Sequence, residues 1–361
     1  MSKILCLIDS LGAGGAERQL AYLGILLHKL GHEVKFVVFT RENKFYESFL
    51  VEGGVTPVYN EPGVNRFRRI WEIAKIVRSF KPDLAVAYKD GVCMSATLAK
   101  IFGNYNLAVS ERSSTPTLSR LQKIKIFLFR FANHIVPNSY TQANYLKGFS
   151  PRLEKKIKVI GNTVDVQLFH PDKDRRQNDI PNIVTTARVK EIKNILNYLR
   201  AIAIIKENGI KCHFDWYGKT DKGDSYPELV KTEVQRLGIE DYITFHPATT
   251  DVAEVYRKAD IFCLPSLIEG FPNVICEAMA SGLPIVCSNI CDNPYIVESG
   301  VNGFLFDPLK PDDIAAKLIA MINFSESDKE AMAIANRNKI IGLCSPEIFA
   351  DKYLSLICPK D

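Results

Sequence analysis

The chain has 361 residues, 47% of them hydrophobic and 24% charged, a globular composition that excludes fibrous and low-complexity classes. That length exceeds one compact α/β core and suits two domains of ordinary size, with a cleft between them. The net charge of +5 hides an asymmetry: residues 1–165 carry 24 Lys+Arg against 13 Asp+Glu, whereas residues 166–361 carry 22 against 28. The first half is therefore expected to meet something anionic, with membrane surface, phosphorylated lipid and nucleic acid as the candidate partners.

The longest apolar runs fall far short of a membrane span. Met1–Ile8 runs into a glycine loop without a small-residue cleavage site, and is expected to be a core strand, not a signal peptide. Nine scattered cysteines, most of them in apolar runs, read as reduced core thiols of a cytoplasmic protein. Cys287 and Cys291 are close but have no second pair beside them, so filler is favoured over metal.

In chain order, the apolar run Lys3 to Ile8 predicts a strand, followed by a loop with Gly12, Gly14 and Gly15 and a helix to about Leu30. A strand is expected at Val34 to Phe39. This βα unit belongs to a parallel sheet, and its glycines let backbone approach a ligand. The dinucleotide fingerprint fails because Glu17 stands at the third glycine position, and no Gly-Lys-Ser/Thr follows. Further strands are expected at Leu84 to Ala87, Leu107 to Ser110, Ile135 to Val136 and Lys158 to Ile160, with helices such as Arg69 to Phe80 between them. Asn65 to Trp71 interleaves arginine with aromatics. Over Ser119 to Ala132, Arg120, Lys123 and Arg130 share one arc of a helix while apolar residues fill nearly all the rest. That pattern fits either a helix docked on an anionic bilayer or a core helix with a solvated basic edge.

A polar segment bracketed by prolines, Pro171 to Pro181, reads as a linker. Beyond it the alternation restarts: strands at Asn182 to Thr186, Cys212 to Gly218, Tyr242 to Phe245, Ile261 to Leu264 and Ile285 to Cys287, with a helix from Ile195 to Asn208 and another ending at Leu237. Arg188 and Lys193 follow the first of these strands, at the carboxyl end where open α/β sheets bind ligands; surface solubility is their plainer reading. Leu264 to Pro284 reads as strand, loop, helix and turn, with Pro272 in the first helical turn and a stop near Gly282. A helix starting beside Asn273 and Val274 offers free N–H groups and a positive dipole end to an anion. Glu269 and Glu277 would flank that site. A helical tail from Asn336 to Ile357 is expected to return to the first domain.

These features resemble the retaining, nucleotide-sugar-dependent glycosyltransferases of family 4. The motifs carrying the resemblance are Glu269-Gly270-Phe271-Pro272-Asn273-Val274 through Glu277, Arg188 with Lys193, Gly14 to Arg18, and Ser288 to Gly303. The resemblance implies an α/β chain of two facing Rossmann-like, doubly wound parallel-sheet domains (GT-B): residues 1–170 on the acceptor side, 171–340 binding the donor, and 341–361 as a helix packing back on the first. It implies that Arg188 and Lys193 bind the donor diphosphate and stabilise the leaving charge, with help from N–H groups near Asn273 and Val274. Glu277 would hold the ribose, Glu269 the sugar, and Gly14 and Gly15 would approach the phosphates. Gly218, Gly270, Phe271 and Pro272 complete the expected donor pocket. The donor is expected to be a UDP-sugar, with GDP-sugar second, and no cofactor or metal is required; Asp172-Lys173-Asp174 matches the aspartate pair of metal-dependent sugar transferases but reads as solvated linker charge.

Four departures bear on the site. Where many relatives carry a catalytic histidine, this chain has Ser110-Glu111-Arg112, making Glu111 the candidate acceptor-side base. Asn162-Thr163-Val164-Asp165 replaces the common Asn-Gly-Val-Asp turn. The glycine pair near Gly218 is broken by Lys219 and Thr220, and Pro247 stands where glycine is usual. The reading is transfer of a hexose or N-acetylhexosamine to a lipid-linked or cell-surface glycan at the inner membrane face, as in lipopolysaccharide or capsule synthesis. A UDP-sugar hydrolase or epimerase, or a non-catalytic glycan- or anion-binding protein, would share the architecture; nucleic-acid binding lacks a recognition motif.

Overall fold

A computed structural model describes residues 1–60, 65–112, 119–172, 178–221 and 223–357. The chain forms two compact units, Met1–Thr163 with Pro346–Asp361, and Val164–Ser345. The boundaries expected from the sequence, 170/171 and 340/341, lie a few residues from these. Lys173 and Asp174 of the linker lie outside the described residues.

The first unit alternates strand and helix: β1 (Lys3–Ile8), α1 (Gly15–Lys29), β2 (Glu33–Val38), α2 (Glu47–Glu52), β3 (Pro57–Tyr59), α3 (Arg66–Phe80), β4 (Leu84–Ala87), α4 (Asp90–Ala99), β5 (Leu107–Glu111), α5 (Arg120–Phe129), β6 (His134–Pro137) and α6 (Tyr140–Phe149). The six strands pair in parallel in the order β3-β2-β1-β4-β5-β6. Residues Ile4 to Ile8 are all fully buried, as a strand covered on both faces requires. Alternate side chains of β1 serve opposite cores. Leu5 and Leu7 pack with Ile73, Val92 and Ile126 of α3 to α5, and Ile4, Cys6 and Ile8 pack with Leu20 and Leu23 of α1 and Leu50 of α2. Strand order reverses between β1 and β4, so their carboxyl ends bound the crevice of this sheet.

The second unit contains β7 (Asn182–Thr186), α7 (Ile195–Glu207), β8 (His213–Tyr217), α8 (Tyr226–Leu237), β9 (Ile243–His246), α9 (Val252–Lys258), β10 (Ile261–Leu264), α10 (Asn273–Ala280), β11 (Ile285–Ser288), α11 (Asn293–Ile296), β12 (Gly303–Phe306), α12 (Pro311–Ile322) and α13 (Glu326–Cys344). Its sheet is again parallel, in the order β12-β11-β10-β7-β8-β9, and its switch point lies between β7 and β10.

Four elements differ from expectation. The tail is two helices, α13 and then α14 (Pro346–Leu354). Pro346 lacks an N–H and drives the preceding Ser345 into extended backbone (φ −60°, ψ 155°), which ends the first helix. Thereafter α14 packs on α1 within the first unit, with Phe349 and Tyr353 in the core that Leu20 and Leu50 share. Lys158 to Ile160 is not a strand; it runs beside β6 with only Lys158 N–H to the Ile135 carbonyl (2.9 Å) and Ile160 N–H to the Pro137 carbonyl (3.1 Å). Finally, β3 and β12 are not among the expected strands: β3 has three residues and opens on Pro57, and β12, as long as β10, opens on Gly303.

Candidate functional site

At the switch point of the second unit, the segment after β7 meets the segment after β10. Leu267 N–H donates to the Ile192 carbonyl at 2.9 Å, fastening the two. Lys193 ends a short 3₁₀ turn over Glu191–Lys193, and Asn194 then takes a left-handed conformation (φ 59°) to open α7. This sets the Lys193 ammonium 2.6 Å from Glu269 Oε1. Ser266, itself fully buried, donates its hydroxyl to the same carboxylate oxygen at 2.6 Å. With side-chain exposures of 20% and 12%, the pair is partly desolvated yet reachable, and an anion arriving there would meet a held ammonium beside a carboxylate able to accept hydroxyl hydrogens.

Around this pair the loops carry more charge. Arg188 is exposed, and Lys190 pairs with Asp221 at 2.5 Å. The hydrogen bond from Lys190 outweighs partial desolvation, and with the charges of Lys190, Arg188 and Lys219 it holds the Asp221 carboxyl below its ordinary range. Gly218 follows β8 directly, where only glycine fits, since a Cβ there would lie 1.9 Å from the Ala187 carbonyl oxygen, which also accepts from Trp216 Nε1 at 2.8 Å.

The loop Pro265–Pro272 leads into α10. Asn273 N–H donates to the Phe271 carbonyl, and Ile275 and Cys276 N–H both donate to the Pro272 carbonyl. These bonds make a tight entry turn with Asn273 already engaged. Gly270, Phe271 and Val274 are half-buried, the last two packed on the apolar cluster that includes Ile275 and Leu264. Glu277 is only 6% exposed, so the helix carries this carboxylate into protected surroundings, in contrast to Glu269 on the loop.

In the first unit, Gly14 caps α1, and a Cβ on it would meet the Glu17 carboxylate at 2.2 Å, whereas Gly15 has open space around it. The Glu17 carboxylate thus lies over the helix start, and its other oxygen takes the Lys89 ammonium at 3.0 Å. Lys89 holds a left-handed φ of 72°. Glu111 ends β5 and pairs with the buried Lys125 at 2.5 Å, which also reaches Asp90 at 3.2 Å. Burial disfavours the Lys125 charge, but Glu111 and Asp90 outweigh it and raise its pKa. Glu111 is therefore one half of a buried ion pair.

Lys125 points inward, yet the other side of α5 is open: Leu121, Ile124 and Phe127, with Phe131 just beyond, are each more than half exposed, and Arg120 and Lys123 are exposed too. On α3, Phe67 and Trp71 are exposed, Trp71 stacking on Phe102 at 4.5 Å. Sequence reasoning missed a polar cluster on the second sheet, where Asp215 accepts from Asn182 Nδ2 at 3.0 Å and meets His246 Nε2 at 2.6 Å, with the His246 ring stacked on Tyr217. The alternation of His213, Asp215 and Tyr217 along β8 was its available signal. A cavity of about 450 Å³ lined by Pro171, Arg257, Gly282, Lys329 and Arg337 shares no residue with the Lys193–Glu269 site. Among the described residues no helix is long and apolar enough to cross a membrane.

Comparison with known proteins bears on this geometry. Residues 13–168 match the family described as Glycosyltransferase Family 4, and residues 180–323 match Glycosyl transferases group 1. A Haemophilus influenzae protein named an uncharacterized glycosyltransferase is 39% identical over 113 residues, 31% of this chain and 32% of that one. A Campylobacter jejuni protein is 26% identical over 288 residues, 77% of each chain; it is named GalNAc-alpha-(1->4)-GalNAc-alpha-(1->3)-diNAcBac-PP-undecaprenol alpha-1,4-N-acetyl-D-galactosaminyltransferase. The chain spans about a third of the first of these and about three quarters of the second. Among solved structures, Anabaena HepE in complex with UDP superposes with a TM-score of 0.85 over 98% of both chains at 19% identity, a likeness of fold.

Proposed function

We propose that this chain, which belongs to glycosyltransferase family 4, moves a hexose or N-acetylhexosamine from a nucleotide sugar to a lipid-linked or cell-surface glycan. The observation that carries the reading is the Lys193–Glu269 pair at the switch point of the second sheet (2.6 Å), with Gly218 and the entry turn of α10 beside it. In this reading Lys193 and the exposed Arg188 hold the donor diphosphate. Their charges stabilise the leaving nucleotide as the glycosidic bond breaks, without a metal. The Val274 N–H at the start of α10 assists, while the Asn273 N–H stays on the Phe271 carbonyl. Glu269 receives hydroxyls of the sugar, oriented by Lys193 and Ser266, and Glu277 takes the ribose. Gly15 leaves backbone room for the phosphates beside Gly14, over which the Glu17 carboxylate lies, while Glu111, held by Lys125, acts on the acceptor side.

Retention of anomeric configuration is part of the proposal, through front-face attack in which the leaving phosphate takes the acceptor's proton. A UDP-sugar is the first-choice donor, in keeping with the UDP bound to Anabaena HepE, and a GDP-sugar the second. A diphospholipid-linked glycan is the acceptor class favoured by the name of the Campylobacter relative. The exposed apolar and basic side of α5, with Phe67 and Trp71 exposed on α3, supports seating at an anionic bilayer on the cytoplasmic side. The division into a 1–170 acceptor domain, a 171–340 donor domain and a returning 341–361 helix is proposed with it. The test is nucleotide release from a panel of UDP- and GDP-sugars by purified protein with a membrane lipid extract and no added metal. Release with one donor supports the proposal, and none with any donor overturns it.

A further inference from the structure

The described part of the first unit ends its main run on two residues, Asn162 and Thr163, and each is gripped from a different part of the sheet rim. Gln19 of α1, fully buried, donates from Nε2 to the Thr163 carbonyl at 3.0 Å and accepts the Thr163 N–H on Oε1 at 2.8 Å. This side chain therefore satisfies both backbone groups of one residue 144 positions away. Arg112, directly after β5, gives a guanidinium N–H to Asn162 Oδ1, a second to the Tyr88 hydroxyl and its Nε–H to Ser110 Oγ at 2.9 Å. Its plane also lies 4.1 Å from the centre of the Tyr88 ring. Tyr88, directly after β4, shares a 2.7 Å hydrogen bond with Tyr353 of α14.

The dipeptide thus joins α1 and the end of β5 directly, and Arg112 and Tyr88 extend the network to the end of β4 and to the returning helix. β1, β4 and β5 are the three adjacent central strands of the sheet, and the switch point lies between the first two. The chemistry-bearing groups sit on the same segments: the glycine loop four residues before Gln19, Lys89 next to Tyr88, and Glu111 next to Arg112. A buried amide that satisfies two backbone groups has one geometry, because losing either bond strands a desolvated donor or acceptor.

We propose that Gln19 and Arg112 are positioning residues that register the Gly12–Gly15 loop against the Glu111 segment through Asn162–Thr163. Neither needs to touch substrate; moving one shifts the anchor and hence the loop held by the other. The kinetic part of the test rests on the transferase reading above, whereas the exchange part does not.

The test compares full-length wild type with Gln19→Leu, Gln19→Glu and Arg112→Gln. Hydrogen exchange is expected to speed up reciprocally: Gln19→Leu at Val109–Arg112, and Arg112→Gln at Gly15–Gln19. Gln19→Glu keeps both bonds only as the neutral acid, donating to the Thr163 carbonyl and accepting the Thr163 N–H, so its effect is expected to be smaller than that of Gln19→Leu in acidic buffer and not at neutral pH. With the donor and lipid extract that give turnover, either disruptive variant lowers kcat about tenfold, about 1.4 kcal/mol on the barrier, and raises the KM for donor, whose phosphates the displaced glycine loop approaches. Exchange that rises only around each substituted residue overturns the inference, whether or not turnover is found. So does a lowered Tm with kcat intact, which would mark both residues as structural only.

Discussion

Replacing Lys193 with alanine separates two consequences that the structure ties to one atom. The ammonium sits 2.6 Å from Glu269 Oε1, and its removal leaves that carboxylate with the Ser266 hydroxyl at 2.6 Å. A carboxylate only 12% exposed that loses its cation costs about 1–3 kcal/mol of stability, read as a lower urea midpoint at unchanged m-value. Binding changes for a separate reason. A charge-assisted hydrogen bond to a diphosphate contributes about 1.5–3 kcal/mol, so Kd for UDP is expected to rise roughly 10- to 150-fold at about 1.4 kcal/mol per decade. Titration calorimetry with UDP on the folded variant measures this directly. Lys193→Met with Glu269→Gln removes both charges together, which should restore much of the stability while leaving UDP affinity low. Wild-type UDP affinity in folded Lys193→Ala would refute the assignment of this lysine to the diphosphate.

Three further outcomes are expected. Gly218→Ala places a Cβ 1.9 Å from the Ala187 carbonyl oxygen, so backbone must move; a loss of about 1–3 kcal/mol should appear in urea unfolding together with weakened UDP binding. Lys125→Met strands the buried Glu111 and should cost about 3–5 kcal/mol. Because Glu111 and Asp90 raise the Lys125 pKa above its unfolded value, the wild-type contribution is complete below the ordinary lysine range and disappears as pH rises through the folded pKa. The stability difference between wild type and Lys125→Met should therefore shrink as pH rises into strong alkali. Leu121→Glu with Ile124→Glu, both exposed on α5, should abolish cosedimentation with phosphatidylglycerol vesicles and leave UDP affinity unaltered.

The sheets were legible because their strands are buried on both faces and read as unbroken apolar runs, β1 and β10 most plainly. Two strands were not: β3 opens on a proline, and β12 on Gly303, whose Cβ would lie 2.4 Å from the Ile285 carbonyl oxygen. The glycine there answers a packing demand that no local pattern carries. For the candidate site, Lys193 and Glu269 could be singled out because each follows a strand, and their meeting follows from β7 and β10 being neighbours. What stayed hidden depends on long-range partners. The helical arc correctly separates Lys125 from Arg120, Lys123 and Arg130, but nothing local says that Lys125 turns inward to Glu111 and Asp90. The 144-residue reach from Gln19 to Thr163 leaves no periodic trace, and neither does Glu17 lying over Gly14.

Mass spectrometry of the lipid fraction after incubation with the donor that releases nucleotide tests the central claim most directly. Glycosyl transfer predicts a glycan heavier by one hexose or N-acetylhexosamine residue in step with nucleotide released, and loss of both signals in Lys193→Ala. Nucleotide accumulating with free sugar while every lipid-linked glycan keeps its mass would contradict it.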